Sequence, residues 1–398
     1  MKPVNYFIAL CFLMLLAFTS CSYNESPDII NNGKGANEQT INENSANKSD
    51  LRETMPNDFS YKLLKPLISN KGLINYSELA LPSKVNELKM AVWLIFDKQR
   101  LLVVLYEDTI FKKSREIGFY NFVTNEYETL FTIQKDGEGE HSISICAVDG
   151  TNILYKDSVF ENINDLLGID TLCVFNTETK KIVKVHEYSK DYMESGAAYS
   201  NKVILHNGMV YYDEVELTDG ELSGINLFQF DLQSESVSLV KEWAQNPIIY
   251  NEELFSVVKD DTSSDFYFQS VDANTRIKLG ERINELMSTG TELYILNNKY
   301  LDEKNRSTVW NIENLISGEE LLTATIAIDQ LNGNNNVLTW TNFFPEKPII
   351  YLKCLDKFVI FDELEKGYIS YELSDEVCIL THRNDYNAIK YYTFTLNE

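Results

Sequence analysis

The chain has 398 residues, of which 44% are hydrophobic, 12% aromatic and 24% charged. With 17 Gly and 8 Pro it is neither collagen-like nor low-complexity, and its length fits two or three domains or one large repeat architecture. Thirty-five basic residues against 60 acidic ones leave a net charge of −25; phosphate neutralisation needs basic patches, so no nucleic acid partner is expected.

The N-terminus reads as an address. Lys2 supplies a minimal positive charge, and Tyr6–Phe18 is an apolar run of 13 residues. A bilayer span needs roughly 20 residues, so the run suits a secretory signal peptide rather than a transmembrane helix. Thr19, Ser20 and Cys21 follow it directly. A small residue and then a cysteine at the end of such a run resembles a bacterial lipoprotein lipobox, although Phe18 stands where Leu is most common. The resemblance implies lipidation of Cys21, with residues 1–20 removed and the membrane engaged through the anchor. In the alternative reading the signal is an ordinary one and Cys21 is incidental.

Residues 22–56 are rich in Asn, Ser, Glu and Gly, with few strong apolar residues. Such a segment cannot bury enough surface to offset its ordering entropy, and it reads as a disordered tether over 21–56. It carries six acids and three bases, so a net charge of −23 falls on residues 57–398. An extracytoplasmic, envelope-anchored location permits disulfides. Cys146–Cys173 and Cys354–Cys378 are conceivable pairs, but all four cysteines lie in apolar strand-like runs and are read as buried small hydrophobes.

From about Phe59 onward helical periodicity is scarce, the best helix candidate being Tyr61–Ile68. Short runs rich in Val, Ile, Tyr and Phe, such as Ala91–Phe96 and Leu101–Tyr106, alternate with Asn, Asp, Gly and Ser, the signature of strands and turns. One unit recurs: an apolar strand, a polar marker, a short turn and a second strand. Its markers are Asn121, Asn176, Asp231, Asp272, Asn311 and Asp362, spaced 55, 55, 41, 39 and 51 residues apart. A second hairpin lies around Asp149–Gly150, Asn207–Gly208, Asn251 and Thr289–Gly290, where Asp-Gly and Asn-Gly suit turns with positive φ.

Two hairpins per repeat make a four-stranded sheet, and radial repetition of such sheets makes a β-propeller. The expected fold is therefore all-β: a propeller of six or seven four-stranded blades over residues 57–398. The last run, Ala388–Leu396, offers a third strand with no fourth. A strand from about Ile74 to Leu81 is expected to close the ring. The short stretch Glu376–Tyr386 favours six blades. A pair of β-sandwiches and a β-solenoid are the competing architectures. Together with Cys21, the repeats resemble the WD40-like and TolB-like propeller lipoproteins of bacteria, a resemblance that implies a fold and a location and no activity.

Catalytic signatures are missing: there is no nucleophile elbow, no phosphate-binding glycine loop and no H-E-x-x-H. His141, His186, His206 and His382 are read as falling in different repeats, as partly exposed residues with no metal ligation, and no cofactor is expected. Two acidic clusters, Asp136/Glu138/Glu140 and Asp260/Asp261/Asp265, read as solvated turns rather than calcium loops. The aromatic pairs Tyr211–Tyr212, Phe266–Phe268 and Tyr391–Tyr392 read as wedges between blades, with sugar or peptide stacking as the alternative. The expected function is a binding or scaffold module for a protein or glycan partner on a loop face. An extracytoplasmic glycosidase or lyase, with carboxylates in the central channel, is the alternative. An envelope sensory or assembly partner is a third.

Overall fold

The computed structural model describes residues 61–398 apart from 108–112, 134–139, 161–168, 189–201, 219–220, 260–264, 274, 281–284, 303–306, 343–345, 375–376, 384–388 and 397–398. Cys21 and the tether of residues 22–56 therefore lie outside the described residues.

Continuous apolar runs such as Leu101–Leu105 and Ile349–Leu352 form strands buried on both faces, and seven separate sheets result. Each is a meander built from consecutive strands. Blade 1 has its main strands at Leu88–Ile95, Arg100–Tyr106, Ser114–Asn121 and Glu126–Thr132. Blade 2 follows at Glu140–Asp149, Asn152–Phe160, Ile169–Asn176 and Ile182–Glu187. Blades 3 to 6 repeat the plan, beginning at Ile204–His206, Ala244–Tyr250, Glu285–Ser288 and Ile328–Gly333. Blade 7 takes three strands from the C-terminus, Tyr368–Leu373, Cys378–Arg383 and Ile389–Leu396. The first strand of each sheet contacts the first strand of the next, and blade 7 returns to blade 1. The sheets thus form a closed ring: a seven-bladed β-propeller.

The fourth strand of blade 7 is Ile74–Leu79, paired antiparallel with Ile389–Leu396. Closure by the N-terminal segment is as the sequence predicts. The count is seven rather than six, because the short Glu376–Tyr386 stretch contributes only part of a blade that the N-terminus completes. The best helix candidate, Tyr61–Ile68, forms two short strands instead. Tyr61–Leu63 adds antiparallel to the fourth strand of blade 5, and Leu67–Ser69 adds parallel to that of blade 6. Local helical spacing loses to open sheet edges that need partners. Blades 5 and 6 thereby gain a fifth strand, and blade 1 gains the short strand Lys84–Val85. Lys65 ties this strap down, pairing with Glu319 of blade 5 and, at 2.8 Å, with Asp356 of blade 6.

The repeat marker proves to be a turn device. Asn121 Oδ1 accepts from Val123 and Thr124 N–H, and Asn176 accepts from Glu178 and Thr179 N–H. Four residues after each stands a left-handed residue, Asn125 or Lys180, and Asp231–Glu235 and Asn314–Gly318 repeat the pattern. The true marker in blade 5 is therefore Asn314, because Asn311 lies inside the strand Ser307–Asn314. In blade 4 the role falls to Ser270, whose Oγ accepts from Ala273 N–H, and Asp362 lies in the connection after blade 6. The Asn207–Gly208 turn has both residues at positive φ as expected, whereas around Gly150 the central pair is Gly150–Thr151 and only Gly150 is left-handed.

The wedges between blades hold the core. Tyr212 and Phe268 are fully buried, so these aromatics fill seams rather than form an exposed stripe. The four cysteines are free. Cys146 packs toward blade 3 and Cys173 toward blade 1, on opposite faces of one sheet, so they cannot pair. Cys354 is exposed, contrary to expectation, because it falls in the short 3-10 turn Lys353–Leu355.

Closure by the N-terminal strand gives a direct test. Removing residues 1–60 is expected to leave cooperative thermal unfolding intact by circular dichroism. Removing residues 1–79 strips blade 7 of its outer strand, exposes Phe394 and Tyr392, and is expected to abolish the single cooperative transition.

Candidate functional site

Three places bring chemistry-bearing side chains together: the propeller axis, the seam between blades 1 and 2, and the seam between blades 7 and 1.

At the axis, Lys202 precedes the first strand of blade 3, and its Nζ lies 3.0 Å from Glu285 Oε1 on the first strand of blade 5. The pair reaches past blade 4, and the space those two inner strands share is the axis. Lys202 also donates to the Leu286 carbonyl, and Glu285 Oε2 accepts from Leu331 N–H of blade 6 at 2.6 Å. Asn332 and Asn334 extend the polar lining, donating to the carbonyls of Tyr371 and Ser374 in blade 7. Glu372, on the innermost strand of blade 7, has no hydrogen-bond partner among the described residues, and burial pushes its carboxyl up to about 8. Among the described residues the axis therefore brings in Glu285, neutralised by Lys202, and Glu372, whose carboxyl burial makes prone to protonation. It is neither a converging acid pair nor an apolar plug.

The seam between blades 1 and 2 is highly charged. His141 Nδ1 lies 3.0 Å from Asp157, whose carboxyl is raised by burial in spite of the imidazole. Glu140 accepts from Lys113 at 2.6 Å and from Arg115 at 3.3 Å, and Arg115 also binds Glu107. A smaller hollow of about 280 Å³ in the same seam has Arg100 stacked over Phe96 and Phe119, with Asp97 fixing the guanidinium. Lys113, Arg115 and Arg100 are each paired with a carboxylate, while Lys180, which also lines the hollow, sits over the Phe175 ring.

The sequence reading of the histidines needs two corrections. His141 and His186 share blade 2 instead of falling in separate repeats. His186 stacks on Tyr212 toward blade 3 while His141 bonds Asp157, so the two do not converge. His382 is buried rather than partly exposed, and it donates through Nε2 to the Glu365 carbonyl across the backbone of Gly367. Burial lowers its pKa, which keeps the ring neutral. No group of three or more His, Cys, Asp or Glu side chains able to hold a metal occurs among the described residues. Of the acidic clusters, residues 134–139 and 260–264 lie outside the described residues, Glu140 belongs to the charged seam, and Asp265 pairs with Lys278.

The seam between blades 7 and 1 carries an open surface hollow of about 650 Å³. One wall is the segment that carries the chain from the closing strand to blade 1, with Leu81, Pro82 and Lys84. The other is the last hairpin of blade 1, with Tyr120, Asn125 and Tyr127. Tyr120 Oη donates to Asn125 Oδ1 at 3.1 Å, and Tyr127 Oη donates to Glu116 at 3.3 Å. The Tyr127 ring packs against Gly118: a Cβ there would come within 2.5 Å of the ring and 2.4 Å of the Glu128 carbonyl. Burial, reinforced by the Glu116 charge, holds the Tyr127 phenol protonated far above its usual range. Sequence reasoning missed this cavity. Gly118 in an otherwise bulky strand was its only trace, since an interior strand glycine marks close approach.

No protein-family model matches the chain, and no curated protein sequence matches it. Solved structures similar in fold include the β-propeller domain of the Trilobed protease from Pyrococcus furiosus, at 13% identity over 78% of this chain and 96% of that one, with a TM-score of 0.47. Oligogalacturonate lyase from Vibrio parahaemolyticus is similar at 11% identity over 83% and 98% of the two chains, with a TM-score of 0.48. Pyrococcus horikoshii acylaminoacyl peptidase shows 13% identity over 74% of this chain and 49% of that one, also at 0.48. These likenesses concern architecture alone, and the propeller assignment rests on the seven sheets themselves.

Two outcomes test these sites. Gly118→Ala is expected to cost about 1–3 kcal/mol in urea unfolding, because the new methyl meets backbone and a pinned ring. Glu372 binds a proton in the folded state from about pH 4.5 to 8 that the unfolded chain has released. Its contribution to stability is therefore lost as pH rises through that window. Glu372→Gln is expected to flatten the fall by up to about 1.4 kcal/mol per pH unit, and to melt higher than wild type at pH 9.

Proposed function

We propose that the protein is a lipid-anchored, extracytoplasmic binding module, held to its membrane through Cys21 and seating its ligand at the seam between blades 7 and 1. The observation that carries the binding reading is the seam cavity itself. Its walls are rigid: a hairpin with Asn125 and Tyr127 locked by hydrogen bonds, and a segment fixed at one end by the closing strand. Recognition usually resides where a rigid scaffold positions side chains around a concave surface. The anchoring reading is supported by the apolar run Tyr6–Phe18 followed by Cys21.

An enzymatic reading has one observation in its favour, the unpartnered carboxyl of Glu372 at the axis. A carboxylic acid still protonated near neutral pH can serve as a general acid. Glu285 would be the natural second carboxylate, but its charge is already neutralised by Lys202 and bonded to the Leu331 amide.

A crystallographic fragment soak separates the two readings. Fragments are expected to collect between Tyr127 and Lys84. Occupancy confined to the axis around Glu372 would overturn the binding-seat reading in favour of the enzymatic one. In a bacterial host, Cys21→Ala is expected to move the protein from the membrane fraction to the soluble extracytoplasmic fraction, and unchanged membrane association would overturn the anchor.

A further inference from the structure

The electrostatics of the seam cavity are the reverse of the domain's. Residues 57–398 carry a net charge of −23, yet among the described residues no carboxylate lines the cavity and Lys84 is the one charged side chain that does. Lys84 is exposed and has no ion-pair or hydrogen-bond partner among the described residues. An ammonium left unmatched in so acidic a domain is a site where an anionic group gains most by binding.

The uncharged part of the lining sets the shape of the rest of the ligand. Tyr127 packs its ring against the bare backbone at Gly118 and is tethered through its hydroxyl to Glu116, so the ring is held in place before any ligand arrives. The face of an aromatic ring is electron-rich and attracts the C–H face of an apolar or semi-polar ring. Asn125 spends its carbonyl oxygen on Tyr120 Oη, which orients its amide N–H groups as donors. Asn86 adds a second carboxamide, and both residues are held at positive φ, 49° and 59°. Carboxamides donate and accept at once, as vicinal hydroxyls do. The strand-addition mode of peptide capture needs an open row of backbone donors; here Pro82 has no N–H and Leu81 N–H is already bonded to Leu79 O.

We infer that this cavity takes a sugar acid, a pyranose bearing a carboxylate. The sugar ring stacks on Tyr127, its hydroxyls meet Asn125 and Asn86, and its carboxylate reaches Lys84. The inference rests on the reading of the cavity as a ligand seat and adds the chemistry of the ligand.

The test uses the full chain, with glucuronate, glucose and trialanine as probes, read by isothermal titration and by NMR perturbation of the tyrosine ring signals. Glucuronate is expected to bind saturably, about fivefold more tightly than glucose, as one partly exposed ion pair allows. Lys84→Gln is expected to erase that preference and leave glucose binding unchanged; Lys84 is exposed, so the variant retains the fold. Tyr127→Leu is expected to abolish binding of both sugars, with the melting temperature checked alongside. Equal binding of glucuronate by wild type and Lys84→Gln overturns the inference. If trialanine alone perturbs the cavity tyrosines, the sugar-acid assignment falls and the ligand seat stands. If none of the three probes and no soaked fragment reaches the cavity, both fall.

Discussion

A four-stranded blade has two apolar faces and cannot cover either by itself; each face must meet a neighbour, and the last blade must meet the first. Everything else in this molecule depends on that closure. The chain meets it by withholding one strand from the C-terminus and supplying it from Ile74–Leu79. Hydrogen bonds between the two ends of the fold make opening the ring a cooperative event rather than a local fraying. The segment before that strand extends the principle. Having supplied one edge, the N-terminus also covers the outer edges of blades 5 and 6, which would otherwise present unpaired backbone.

The scarcity of cations imposes a second order on the structure. Lys113 and Arg115 join blade 1 to Glu140 of blade 2, and Lys181 joins blade 2 to Glu235 of blade 3. Lys353 joins blade 6 to Glu292 of blade 5, and Lys202 reaches from blade 3 to Glu285 across the axis. The exposed pairs contribute little individually. The less exposed ones position blades relative to one another, and at the axis the pair consumes the carboxylate that an acid–base mechanism would need.

The ring and its closing strand were legible because burial leaves a periodic trace: apolar strands, a polar residue at the strand end, a turn. The trace was exact where the turn used Asn or Asp, at Asn121, Asn176 and Asp231, and slipped where Ser270 took the role or where strand Asn311 imitated it. Seven blades were harder to read than six because the seventh is written at both ends of the chain. Tyr61–Ile68 was misread because strands that add to an existing edge need no periodicity of their own. The site left almost no trace. Glu372, Lys84 and Tyr127 are ordinary residues in ordinary strands and loops, and only their three-dimensional setting distinguishes them.

That setting has a structural cause. All seven seams are crossed by a passage from a fourth strand to a first, and the two ends of the chain meet inside blade 7, where Ile389–Leu396 pairs with Ile74–Leu79. At the seam between blades 7 and 1, residues 80–87 make that passage from the outer strand Ile74–Leu79 to the inner strand Leu88–Ile95. A tight turn at Asn86–Glu87, both at positive φ, makes the final reversal. What distinguishes this crossing is the extra short strand Lys84–Val85, which doubles back on Leu88–Lys89 and holds residues 80–86 as one wall of the cavity. The unmatched Lys84, the pinned Tyr127 and the bare backbone at Gly118 all occur there.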